Sequence, residues 1–194
     1  MKRILITGMS GTGKSAVIQE LAARGCDARD LDTPEWSEWI DTDPTDALTP
    51  AHGKDWVWRE DRVRTLLSGV QGGTLFVSGC AENMARLFPL IETIILLSAP
   101  AATIMERLAA RSPDGYGNAP EERRKVSELI ATVEPLLRQS ADHEIDTRQP
   151  VATTVDAILQ IAKRAATGLP ADPQMPASPS PPSASPERGP LFRR

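Results

Sequence analysis

The chain has 194 residues, 40% hydrophobic and 25% charged, with 22 Lys and Arg against 26 Asp and Glu for a formal net charge of -4. That length suits one domain able to bury its own core, and the acidic balance excludes a global electrostatic attraction to nucleic acid. No run approaches the roughly 20 apolar residues of a membrane span, and Cys26 and Cys80 match no zinc or CxxC spacing, so reduced thiols and a cytoplasmic location are expected.

The first predicted strand, Arg3 to Thr7, carries the apolar run Ile4-Leu5-Ile6 and leads directly into Gly8-Met9-Ser10-Gly11-Thr12-Gly13-Lys14-Ser15. A helical pattern over 15–24, beginning Ser15-Ala16, follows. This is the G-x4-G-K-[ST] spacing of a phosphate-binding loop in its proper strand-to-helix context. Glycines let successive backbone N–H groups turn inward around an anion, and the helix N-terminus adds unpaired N–H groups and the positive end of its dipole. Lys14 is suited to the outer phosphates and the Ser15 hydroxyl to Mg²⁺. The expected ligand is ATP or GTP with magnesium.

A second strand, Asp27 to Leu31, ends in Asp30-Leu31-Asp32. The period of two places both carboxylates on one side of a strand end. In a phosphotransferase one such carboxylate, here Asp30, can hold magnesium through water, while the other, Asp32, orients or deprotonates an acceptor hydroxyl. The segment 33–70 is the candidate acceptor-binding subdomain. It contains all four tryptophans, Trp36, Trp39, Trp56 and Trp58, and a helical pattern over about 56–69. The indole rings serve either to stack on an acceptor or to hold a small helical appendage together. Arg59 is a candidate clamp for a carboxylate or phosphate, with a surface salt bridge as the alternative.

A third strand, Thr74 to Ser78, ends at Ser78-Gly79-Cys80. Gly79 permits close backbone approach to a ligand or serves a turn. No aspartate of the Walker B type ends this strand, which leaves Asp30 and Asp32 as the nearest magnesium-directed carboxylates. After a helical stretch over 81–87, the fourth strand, Thr93 to Leu97, reads as the continuous apolar run of a parallel strand covered on both faces. The helix over 101–111 carries Arg107 and Arg111 one turn apart, ahead of a turn-rich loop, Ser112 to Pro120. A lid over 111–124 is expected, with Arg123 aimed inward over the crevice from a helix over 121–139. A short strand, Glu144 to Asp146, and a helix over 151–166 complete the domain.

Strands alternating with helices predict a three-layer α/β architecture, with a parallel five-stranded sheet, helices on both faces and the ligand crevice at the carboxyl ends of the strands. The domain is expected over 1–167. Residues 168–194, eight of them proline and four serine, read as a disordered tail.

The chain resembles the small P-loop kinases, the group containing shikimate kinase, gluconate kinase and the nucleoside monophosphate kinases. The resemblance spans residues 1 to about 166 and rests on the Gly8 to Ser15 loop, Asp30 and Asp32, Trp58-Arg59, Ser78-Gly79, and Arg107 and Arg111 before a lid. It implies ATP and Mg²⁺ as cofactors and a small-molecule acceptor positioned by Asp32 and Gly79. It also implies that Arg59 binds an acidic group of the acceptor, that Arg107 and Arg111 near the lid contact ATP, and that the adenine is met by Thr147-Arg148-Gln149-Pro150. The chain departs from shikimate kinases in having Gly79-Cys80-Ala81-Glu82 where they carry a triple glycine, and in an acidic stretch from Thr33 to Asp55.

The leading expectation is an ATP- and Mg²⁺-dependent, monomeric small-molecule kinase, shikimate kinase-like in architecture, with a nucleoside monophosphate kinase as the alternative acceptor class. No nucleic-acid or membrane partner is expected. From another class comes a nucleotide-binding regulatory ATPase module that contacts a protein partner. The absence of an N-K-x-D guanine motif weakens its GTPase-switch version.

Overall fold

The computed structural model describes residues 2–69, 72–110 and 119–167. Arg111, most of the expected lid and the expected tail lie outside the described residues. Five strands form one parallel sheet: β1 (Lys2–Thr7), β2 (Asp27–Asp30), β5 (Thr74–Ser78), β6 (Thr93–Ser98) and β7 (His143–Asp146), in the spatial order β2-β5-β1-β6-β7. From the central β1 the chain builds β2 and β5 on one side, then crosses to β6 and β7 on the other. The carboxyl ends of β1, β2 and β5 therefore border the crevice where α/β sheets take their ligands.

The alternation of side chains along each strand divides the core in two. On one face Leu5, Leu75, Val77, Ile94 and Leu96 pack beneath α2 (Glu60–Gly69), a 3-10 helix (Glu82–Leu90), α4 (Pro120–Thr132) and α5 (Glu134–Ser140). On the other, Ile4, Ile6, Phe76, Ile95 and Leu97 pack against α1 (Lys14–Ala23) and α6 (Val151–Thr167) through Val17, Ile18, Leu21, Val155 and Ile158. A smaller cluster of Ile104, Leu108 and Val126 joins α3 (Ala101–Ala109) to α4. Each fully buried aliphatic side chain contributes about 1.5–3 kcal/mol, so both faces must be covered for the sheet to persist.

Three expected helices are corrected. The pattern over 56–69 is not one helix: β4 (Lys54–Trp58) pairs antiparallel with β3 (Ser37–Asp41), and only then does α2 begin, with Glu60 and Asp61 in its first turn. The appendage after β2 is therefore a β-hairpin. Its cross-strand pair Trp39–Trp56, with ring centroids 5.1 Å apart, outweighs the weak helical preference of Trp and Val. The stretch 121–139 is broken at Val133 into α4 and α5, because Pro135 has no N–H to return to the preceding turn. The stretch 81–87 is a 3-10 helix that runs on to Leu90.

Candidate active site

The loop from Gly8 to Ser15 folds over the carboxyl end of β1. Thr12 fastens it by donating from both N and Oγ1 to the Met9 carbonyl, at 3.2 and 2.8 Å. Gly13, at φ 99°, occupies the left-handed region that favours glycine, and nothing lies within 4 Å of where its β-carbon would stand. No side chain among the described residues caps α1, so its first N–H groups face the loop's concavity. Lys14 folds back across the loop, with Nζ donating to the Gly8 carbonyl at 2.8 Å and standing 3.5 Å from Oδ2 of Asp32.

Both aspartates of the D-x-D reach this point. Asp30 Oδ2 accepts the Ser15 hydroxyl at 2.7 Å, and its Oδ1 accepts the Asp32 N–H at 3.0 Å and the Ser78 hydroxyl at 3.2 Å. Asp32 Oδ1 accepts the Cys80 N–H at 3.1 Å. Burial raises the Asp32 carboxyl above the usual carboxylate range, and Lys14 and the Cys80 N–H pull against that rise. Burial likewise pushes the Cys80 thiol up to about 11, so it stays protonated and its contribution here is its backbone. Gly79 is required by close approach: a β-carbon there would stand 2.9 Å from Asp32 Oδ1 and from two atoms of the Trp58 indole.

A cavity of about 560 Å³ opens over these groups. It is lined by Met9, Ser10, Gly11, Gly13, Lys14, Ser15 and Ala16 of the loop and helix start, and by Asp32. One wall is apolar, from Met84 and from Val126, Leu129, Val133 and Leu136 of the α4–α5 pair. The other is the hairpin and the loop inside it, with Trp39, Asp46, Leu48, Pro50, Asp55 and Trp56, closed below by Cys80, Ala81 and Glu82.

The four tryptophans thus divide. Trp39 and Trp56 line the cavity, whereas Trp58 is buried to 1% exposure and Trp36 packs on the core beneath the Arg62 guanidinium, 4.9 Å above its ring. The expected arginines stand elsewhere. Arg59 is exposed and pairs with Glu38 at 2.8 Å on the outside of the hairpin. Arg107 lies behind the phosphate loop, donating to the Gly11 carbonyl at 3.4 Å, to Thr147 Oγ1 at 3.0 Å and to the Thr147 carbonyl. Arg148 pairs with Asp146 at the surface. Arg123 lines a shallow groove with Met105 and Glu106 and is not among the described lining residues of the main cavity.

Sequence reasoning missed Asp55 as a site residue. It is 9% exposed, its Oδ1 accepts the adjacent Trp56 N–H at 2.7 Å, and burial together with Glu82 and Asp46 pushes its carboxyl up to about 6. The acidity of the segment was legible, but which carboxylate turns inward depends on the hairpin register, Ile40 against Asp55.

A glycine-rich turn over an uncapped helix start, with a lysine and paired carboxylates at the strand ends, defines a P-loop nucleotide-binding α/β protein. Residues 4–128 match the family model described as AAA domain, and the chain belongs to that family. No curated protein sequence matches it. Among solved structures it resembles shikimate kinase from Acinetobacter baumannii in complex with shikimate, at 19% identity over 84% of this chain and 93% of that one, TM-score 0.54. A sugar kinase from Janibacter sp. HTCC2649 aligns at 20% identity over 84% and 95%, TM-score 0.53, and shikimate kinase from Aquifex aeolicus at 16% over 86% and 99%, TM-score 0.52. The shared property is the fold of the small P-loop kinases, as the resemblance implied. No described helix is long and apolar enough to cross a membrane.

Proposed function

We propose that this protein is an ATP- and Mg²⁺-dependent kinase that phosphorylates a hydroxyl group of a small molecule. The observation that carries the reading is that Lys14, Asp32 and Ser15 line one cavity at the carboxyl edge of the sheet, with Lys14 beside Asp32 and Ser15 hydrogen-bonded to Asp30. The backbone N–H groups from Gly8 to Ser15 bind the phosphates, and Lys14 balances the charge of the outer ones. Ser15 Oγ and Asp30 are hard oxygen donors already in contact, and they suit Mg²⁺, which takes few protein ligands and completes its shell with phosphate and water. Among the described residues no cluster of three or more His, Cys, Asp or Glu would hold a metal alone. When bound, Mg²⁺ neutralises charge on the phosphate oxygens.

Asp32, fixed by the Cys80 N–H, orients the acceptor hydroxyl and receives its proton. The acceptor oxygen bonds to the γ-phosphorus, the bond from that phosphorus to the bridging oxygen breaks, and ADP leaves. Arg107 ties the phosphate loop to the 147–150 segment, where the adenine would rest, and acts by positioning both.

The test is Asp32→Asn. The kcat for acceptor phosphorylation falls by about 10²–10⁴ while the Kd for MgADP, measured by calorimetry, stays within about threefold. Equal loss of both would remove Asp32 from the acceptor side.

A further inference from the structure

The hairpin register sets three indoles on one face: Ser37 pairs with Trp58 and Trp39 with Trp56, and side chains alternate along a strand, so Trp39, Trp56 and Trp58 share a side. Trp58 is the inner end of this row, its indole reaching the place that a Gly79 β-carbon would take, as Oδ1 of Asp32 does. Trp56 lies two residues back along the strand, about 7 Å away, and Trp39 stands against it with ring centroids 5.1 Å apart. Trp39, Trp56 and Asp32 all line the cavity, so indole surface runs outward from the carboxylate. The other wall is aliphatic, from Val126, Leu129, Val133 and Leu136, and Lys125 of α4 ties it to the hairpin loop by donating to the Ala47 carbonyl at 2.9 Å. Trp39 and Leu48, on the hairpin side, are among the few large apolar side chains that the described residues leave exposed, at 48% and 36%. Apolar surface left open in a cavity of about 560 Å³ is what a small apolar ligand covers. Thr147 to Pro150, assigned to the adenine under the proposed function, are not among the described lining residues, which leaves this surface to the acceptor. An acid group on that acceptor would find no partner here: Lys14 is the sole cation among the described lining residues and is engaged with Gly8 and Asp32, and Arg59 pairs outside with Glu38.

We infer that the acceptor is an aromatic alcohol without an acid group, its ring lying between the Trp39–Trp56 pair and the aliphatic wall of α4 and α5 while its hydroxyl lies at Asp32. This assignment rests on the kinase reading for the hydroxyl, and on the two apolar walls alone for the ring.

Three probes separate ring from charge: phenylethanediol as the aromatic alcohol, glycerol as the same diol without a ring, and mandelate as the aromatic acid. Saturation-transfer NMR on the full chain with MgADP bound, which fills the nucleotide side, reads their affinities at pH 7.5. Phenylethanediol is expected to bind at least about tenfold more tightly than either of the others. Trp39→Ala, at an exposed position, weakens it at least about fivefold with the Kd for MgADP unchanged, and Val133→Thr, which sets a hydroxyl in the opposite wall, weakens it about threefold. Equal or tighter binding of glycerol or mandelate, no binding of phenylethanediol, its displacement by MgADP, or an affinity that neither variant lowers overturns the assignment. Phosphoryl transfer from ATP, followed by mass spectrometry over aromatic alcohols, polyols and hydroxy acids, keeps the two readings apart. Phosphorylation of polyols or hydroxy acids in preference to aromatic alcohols overturns the ring assignment and leaves the kinase standing. Trp39-dependent binding of phenylethanediol with no transfer to any alcohol overturns the kinase and leaves the apolar site standing.

Discussion

At the residue scale the site depends on a contact that leaves no room for one methyl group. Asp32, Trp58 and Gly79 come from three separate parts of the chain, and a β-carbon on Gly79 would stand 2.9 Å from both Asp32 Oδ1 and the indole of Trp58. Trp58 is almost wholly buried and cannot retreat, so Gly79→Ala displaces the carboxylate. Steady-state kinetics should show kcat lowered by about tenfold or more with MgADP affinity unchanged, since a small misplacement of a reacting group has a large kinetic cost. Asp55 gives a second, thermodynamic prediction. Its carboxyl is raised to about 6 in the folded protein against 3.8 ordinarily, so between these values the native state holds a proton that the unfolded chain has lost. Stability on this account falls as pH rises through that window. Asp55→Asn should therefore melt higher than the parent at pH 8, by about 1–2 kcal/mol after allowance for water in the open cavity, and equally at pH 4. A variant less stable than the parent at pH 8 would contradict this. Gain of stability from loss of a buried charge is the signature expected of a residue kept for binding.

At the element scale the hairpin forms one wall of the cavity, and it was the least legible part of the sequence. Trp56-Val57-Trp58 supports either period, and the choice is made by partners distant in the chain: Trp39 across the hairpin, and Asn83 of the 3-10 helix. Asn83 is buried and clamps the Trp58 backbone, accepting its N–H at 3.0 Å and donating to its carbonyl at 2.8 Å. Asn83→Ala leaves two buried backbone groups unpaired and should lower the unfolding free energy by about 2–4 kcal/mol in urea titrations. A loss below about 0.5 kcal/mol would show that the hairpin does not depend on this clamp. By contrast, the phosphate loop and the five sheet strands were legible to within a residue or two. Their signals are local: glycines before a lysine, and apolar runs such as Ile94-Ile95-Leu96-Leu97 that need cover on both faces. Strand ends also fixed the place of Asp30 and Asp32. Where Arg59 and Arg123 stand was not legible, because the Glu38 partner of Arg59 and the Met105–Glu106 groove beside Arg123 come from other elements of the chain.

At the scale of the whole molecule, a two-faced core holds the five-stranded sheet, whose carboxyl edge gathers the glycine-rich phosphate loop, and a cavity lined by acidic and indole side chains opens over it. Burial of both sheet faces makes the edge rigid, and rigid edges position reacting groups better than loops do. Under the proposed function the two sides take separate tasks, nucleotide at Gly8 to Ser15 and acceptor at Asp32, which is the division a phosphotransferase requires. The family and fold place the chain with P-loop proteins; the chemistry of the cavity is what argues for transfer rather than for nucleotide binding alone.

The most direct test of that claim is ADP release by the purified chain with MgATP across a panel of hydroxyl compounds, run in parallel with Asp32→Asn. The account predicts that at least one compound stimulates release, with one phosphorylated product formed per ADP, and that the stimulation disappears in the variant. Release that no hydroxyl compound changes, at the same rate in both proteins, would contradict it.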